Sequence, residues 1–254
     1  VARSVSFCHD DEVRARYLFL ISVVAAVLLA WAGDTALAAR TERRLAEHLP
    51  AGTEVYVGGF PFVGNYVRED IPDMYIAFND INYPPWGLLR ISQNFLGVNT
   101  TVERLNQGEL AGSMAKQVRT RINVDAVSIG AALGIPDVEL MHPYDISPRG
   151  GDSAEVVLRG TPEQIGQRYA VLAHIRLDNG VFQLIPHHLI DAPPRVDAEL
   201  LAPFRWSFDT RELPLPQQAD AVAYSGGSLV FECTQRSVPV EVGPLYPNIE
   251  KAQY

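Results

Sequence analysis

With 254 residues, 47% hydrophobic and 20% charged, the chain has the composition of an ordinary globular protein, not of a disordered or collagen-like one. The 30 acidic against 21 basic residues give a formal charge of −9 at pH 7, the wrong sign for tracking phosphates, so no nucleic acid partner is expected. The two cysteines, Cys8 and Cys233, form neither a disulfide framework nor a CxxC or Cys/His zinc spacing, and no metal or cofactor is expected.

The first expected element is apolar. Tyr17 to Ala32, YLFLISVVAAVLLAWA, contains only Ser22 as a strongly polar residue and follows Arg14 and Arg16. As a helix it would span ~24 Å, short of a ~30 Å hydrocarbon core, which is the length of an export signal. Two forms stay open: a signal peptide cleaved at Ala36-Leu37-Ala38, or an uncleaved anchor formed by residues 17–32. In both, residues 1–38 are tail plus signal, a domain over 39–242 follows on the periplasmic side of the plasma membrane, and 243–254 form a C-terminal tail. The 19 Arg against 2 Lys point to a high-GC bacterial proteome, where the sequon Asn99-Thr100-Thr101 has no role.

Residues 36–49 place Leu37, Thr41, Leu45 and Leu49 on one helical stripe, and Pro50-Ala51-Gly52 ends the helix. Beyond Gly52 the hydrophobic period changes from 3.6 to 2, as in an antiparallel sheet with one apolar face. Met74, Ile76 and Phe78 share one side of a strand. Val118, Thr120, Ile122, Val124 and Ala126 oppose Arg119, Arg121, Asn123 and Asp125 on another. Asn179-Gly180 supplies a type I′ turn that sets Leu177 opposite Phe182 and Ile175 opposite Leu184, with Tyr169, Val171 and Ala173 on the same face. Phe204 to Asp209 alternates strictly. A second hairpin on Gly226-Gly227 sets Tyr224 opposite Leu229 and Val222 opposite Phe231, with Cys233 an inert thiol on the apolar face.

Catalytic signatures are missing: GxSxG, GxxxxGK, GxGxxG, HExxH and the Asp-x-Asp of sugar-nucleotide transferases all fail to occur, Asp70 and Asp73 being separated by Ile71-Pro72. His187-His188 resembles a ligand pair, but neighbours on a strand point to opposite faces, so the two do not readily share an ion. His174 belongs to the polar face of its hairpin, and His142-Pro143-Tyr144-Asp145 reads as a loop. The expectation is a protein without catalysis.

One corner is distinctive. Val55 to Phe62, VYVGGFPF, runs from a strand into a Gly-Gly-aromatic-Pro bend. Preceded by an Arg/Leu-rich helix and followed by Phe204-Arg205-Trp206-Ser207-Phe208 and Leu213-Pro214-Leu215-Pro216, it resembles the LmeA-like phospholipid-binding family of actinobacterial envelope proteins over residues 36–242. The Tyr83-Pro84-Pro85-Trp86 loop and the N-terminal extension depart from that pattern.

The resemblance implies an α+β fold, a strongly curved antiparallel β-sheet wrapped around a long N-terminal helix, similar to the tubular lipid-binding (TULIP) domains. It implies anionic phospholipid or phosphoinositide-type lipid as ligand, and support of lipomannan or lipoglycan assembly alongside envelope mannosyltransferases in mycobacteria. The residues themselves leave core and cavity open. The resemblance makes Phe60, Phe62, Met74, Ile76, Phe78, Val171, Ile175, Leu177, Phe182, Leu184, Phe204, Trp206 and Phe208 the expected cavity lining. Tyr83 and Trp86 are candidates for a tip dipping into the membrane surface, and Arg119 and Arg121 for a headgroup site. The competing readings are an adaptor for membrane glycosyltransferases, and an enzyme on lipid-linked glycans using Asp70, Asp73 or His174.

Overall fold

Helix α1 runs without a break from Phe7 to Glu47, fusing the apolar segment and the amphipathic stripe into one rod. No proline stops it earlier: Gly33 is the single glycine within it, and Pro50 is the first proline. The computed structural model describes residues 7–143, 154–194 and 197–242; the tail expected over 243–254 and Tyr144-Asp145 lie outside them. From Tyr17 to Trp31 the rod is exposed. It enters the folded body from Asp34 onward, where Thr41 is buried and its hydroxyl lies 2.9 Å from the Tyr66 hydroxyl.

Among the described residues eleven strands follow: β1 (Glu54–Val57), β2 (Asp70–Asn82), β3 (Leu88–Asn99), β4 (Met114–Asp125), β5 (Glu139–Met141), β6 (Glu155–Gly160), β7 (Tyr169–Asp178), β8 (Val181–Ile190), β9 (Trp206–Asp209), β10 (Ala221–Ser225) and β11 (Ser228–Pro239). Short helices α2 (Val63–Arg68), α3 (Val102–Gln107), α4 (Ala126–Leu133) and α5 (Asp197–Leu201) connect them. Hydrogen bonding orders the strands as β1-β2-β3-β4-β11-β10 in one sheet and β5-β6-β7-β8-β9 in the other, every pair antiparallel. The architecture is α+β, a long N-terminal helix with curled antiparallel sheets, consistent with a TULIP-like half-barrel.

Both hairpins have the expected register: Ile175 faces Leu184 and Leu177 faces Phe182, while Val222 faces Phe231 and Tyr224 faces Leu229. Asn179 and Gly180 have φ of 49° and 77°, as a type I′ turn requires. Two strand ends differ from expectation. Ala126 starts α4, because Asp125 caps it by accepting the Ser128 N–H at 2.8 Å. Phe204 closes a 3-10 turn (Ala202–Phe204), and the strand begins at Trp206.

A further difference concerns the histidines. Leu172 pairs with His188 but Ala173 with Pro186, so His187 is an extra residue in β8 and makes a bulge. Side-chain alternation is interrupted there: His187 and His188 are both exposed, and the His187 ring stacks on that of His174 in β7. Pro186 has no N–H to give the ladder, which is why the irregularity falls at this point.

The apolar faces of the two sheets meet in one hydrophobic cluster. Phe182 of β8 packs edge-on against Phe231 of β11 with ring centroids 5.1 Å apart, and the Tyr224 hydroxyl of β10 donates to the Leu140 carbonyl of β5 at 3.3 Å. Helix α3 docks on α1 through Gly108, whose φ is +74° and whose added Cβ would stand 2.5 Å from the Arg44 carbonyl oxygen. Only glycine allows that approach.

Candidate lipid-binding site

The Gly-Phe-Pro-Phe corner is built around two contacts. At Gly59, with φ +118°, a Cβ would lie 2.5 Å from Asn65 Oδ1, and the Asn65 amide donates to the Gly58 carbonyl at 2.8 Å. The Asp34 carboxylate of α1 accepts the N–H groups of Phe62 at 2.7 Å and Val63 at 2.8 Å, fixing the start of α2. Phe62 is buried at 1% exposure, whereas Phe60 is 77% exposed. Phe60 therefore does not line the interior as expected; the corner turns it to solvent.

The other expected lining residues lie in the interior. Phe62, Met74, Ile76, Phe78, Val171, Ile175, Phe182, Leu184, Phe204 and Phe208 are buried, and Leu177 and Trp206 are half-buried. They pack on one another: Trp206 and Phe208 have centroids 4.8 Å apart, Phe182 and Phe208 5.3 Å, and Tyr169 and Phe204 5.4 Å.

The loop between β2 and β3 is not an exposed aromatic tip. Trp86 is only 5% exposed and lies 4.6 Å from Phe208 and 5.6 Å from Trp206, centroid to centroid. Tyr83 is half-buried, with its N–H bonded to the Gly87 carbonyl at 2.7 Å. The ring of Trp86 fills the gap between the β2–β3 loop and β9, with its Nε1 buried and without a hydrogen-bond partner.

Arg119 and Arg121 share the outer face of β4 as expected, but both are paired with one carboxylate. Glu232 of β11 stands 3.0 Å from Arg119 Nε and 2.6 Å from Arg121 Nε, so one carboxylate is shared by two guanidinium groups on the side away from the core. Cys233 is fully buried, and burial pushes its thiol up to about 11.

An apolar cleft of about 780 Å³ opens where the end of α1 meets the α3–β4 loop and the end of β11. Its wall includes Leu45, Leu49, Leu110, Val240 and Val242, with His48, Glu109 and Glu241 as polar groups. A smaller cleft of about 330 Å³ shares Pro239 and Glu241 with it and reaches Phe95 and Val118. Phe95 is the direct cross-strand neighbour of Met74. Gln93, on the same wall, is buried at 3% exposure, and its Oε1 lacks a hydrogen-bond partner. Next to the wall, Arg104 Nη1 donates to the carbonyl of the lining residue Gly112 at 3.0 Å, and Arg44, which precedes Leu45, donates through Nη1 to the Asn106 carbonyl.

None of the residues expected to line a cavity is on either wall. The helical stripe of Leu45 and Leu49 was the one usable signal in the sequence; Leu110, Val240 and Val242 sit in irregular segments whose periodicity says nothing about what they face.

A family model described as LmeA-like phospholipid-binding matches residues 24–234, from within the apolar half of α1 to Thr234 in β11. No curated protein and no solved structure matches the chain.

Proposed function

The chain belongs to the LmeA-like phospholipid-binding family, and on that premise we propose that it is a membrane-anchored, non-catalytic lipid-binding protein of the cell envelope that takes acyl chains into the cleft between α1 and β11. The observation that carries this reading is the apolar wall of a 780 Å³ cleft, a volume within the ~300–1,000 Å³ of small-molecule sites. Burying a 16-carbon chain at ~0.8 kcal/mol per CH₂ supplies on the order of 12 kcal/mol before ordering costs. The smaller cleft continues the path over Phe95 and Val118 towards the inner faces carrying Met74, Ile76 and Phe78. An anionic phospholipid or phosphoinositide as the ligand rests on the family resemblance: the polar side chains on the cleft wall are His48, Glu109 and Glu241, and Glu232 already engages both Arg119 and Arg121.

Two features favour an anchor over a cleaved signal. The apolar segment continues into the domain as one helix, and Asp34, which fixes the Phe60–Phe62 corner, precedes the Ala36-Leu37-Ala38 site. Removal of residues 1–38 would take that tie away. Phe60, Val63 and Val67, which are 77%, 50% and 80% exposed, stand beside the point where α1 would leave the bilayer and form the membrane-apposed face. Support of lipomannan or lipoglycan assembly, on the periplasmic side and beside mannosyltransferases, rests on the family resemblance.

The test is mild-detergent purification of the full chain, native mass spectrometry and analysis of co-purifying lipid. About one phospholipid per chain is expected, with occupancy falling severalfold in Leu49→Arg and Leu110→Arg. Bare protein that takes up no added anionic or zwitterionic lipid would overturn the proposal and move the adaptor reading to first place.

A further inference from the structure

The outer face of the second sheet carries a cluster that lipid binding does not use. Glu155 of β6 and His174 of β7 are direct cross-strand partners, and the bulge in β8 adds His187 from the third strand. Glu155 Oε1 is 3.1 Å from His174 Nδ1 and 3.5 Å from His187 Nε2, and three donor atoms of the trio lie within 4.8 Å of one another. An ion pair with Glu155 is satisfied by His174 alone; the bulge brings a second imidazole onto the same carboxylate oxygen.

We propose that Glu155, His174 and His187 bind a divalent transition-metal ion of the zinc class, clipping β6, β7 and β8 together from outside. Ligand atoms on a tetrahedral ion at ~2.1 Å stand ~3.4 Å apart, and the two separations from Glu155 bracket that value. Two imidazoles and one carboxylate suit Zn²⁺, Ni²⁺ or Cu²⁺, whereas Ca²⁺ and Mg²⁺ require oxygen-rich sets. The rings lie stacked, with centroids 4.0 Å apart and 18° between planes, so seating the ion requires each to rotate about its Cβ–Cγ bond. Both have room to do so, their side chains being 49% and 32% exposed. A fourth position faces solvent and takes water.

The experiment uses the untagged full chain in detergent, stripped with chelator, titrated with Zn²⁺ by calorimetry and with Co²⁺ by visible absorption. One ion per chain is expected, with intense tetrahedral Co²⁺ bands. Loss of one ligand in His174→Ala, His187→Ala or Glu155→Gln should weaken binding by at least the ~10- to 100-fold that loss of an outer hydrogen-bond partner costs. Metal-free unfolding temperatures of the variants, compared with that of the parent, separate lost coordination from lost fold. Zn²⁺ uptake no stronger in the parent than in a His174→Ala/His187→Ala variant that unfolds at the parental temperature overturns the proposal. So does a Co²⁺ spectrum indistinguishable from the solvated ion. Neither result bears on whether lipid occupies the cleft.

Discussion

Asp34 and Phe62 are joined across 28 positions of sequence by a 2.7 Å hydrogen bond in which the helix carboxylate accepts the corner's N–H, with Val63 N–H donating to the same group. The contact makes the segment just beyond the apolar half of α1 part of the folded body.

Asp34→Ala leaves two N–H groups at the head of α2 without that acceptor, and destabilisation by ~1–3 kcal/mol is expected. Urea unfolding of the full chain in detergent reads it as a lowered midpoint with an unchanged slope. The protein isolated from membranes should also retain residues 17–32, a point that intact mass decides.

If the Phe60 and Val67 face lies against the bilayer, an indole placed by Phe60→Trp should add a fluorescence component quenched by brominated lipid in proteoliposomes and shielded from acrylamide. Added emission that acrylamide quenches freely and brominated lipid does not would place this face in water.

Trp86 predicts the opposite behaviour from a membrane tip. Trp86→Ala removes a buried ring packed against Trp206 and Phe208, and a loss of ~3–5 kcal/mol is expected. Association with membranes should be unchanged in whatever fraction stays folded.

Cys233 makes stability depend on alkaline pH. Its thiol is raised from 9.0 to about 11 by burial, so the unfolded chain loses this proton first. The contribution is fully present below pH 9, declines as pH rises and is gone above about 11, with a slope of ~1.4 kcal/mol per pH unit in between. Cys233→Ala should flatten that part of the curve in denaturant titrations between pH 8 and pH 11. Iodoacetamide should label the thiol only after unfolding.

The hairpins were legible because turn chemistry and alternation agree: Asn179-Gly180 and Gly226-Gly227 each fix a register that the apolar face independently demands. Trp86 was not, since its partners Trp206 and Phe208 lie in β9, more than 100 residues later, and a Pro-rich loop with a Trp looks the same whether it projects outward or folds in. His187 escaped for a related reason. A bulge is a mismatch between two strands, and neither β7 nor β8 carries it alone. Of the cleft's walls only the Leu45 and Leu49 stripe of α1 carries a hydrophobic period; Leu110, Val240 and Val242 lie in irregular segments where none exists to be read.

The unbroken helix also fixes a height. From Ala32, at the end of the apolar segment, to Leu45 on the cleft wall is 13 residues, or ~20 Å of helical rise. With α1 upright as a membrane anchor, the cleft stands clear of the headgroup layer, and a lipid held there has left its leaflet altogether. As an anchor, such a rod would be a mast and not a tether, denying the domain the long excursions of a flexible stalk and holding the cleft at one level above the bilayer. Two glycines inserted after Gly33 would turn the mast into a hinge and free the cleft from that height, while the residues of its wall stayed in place.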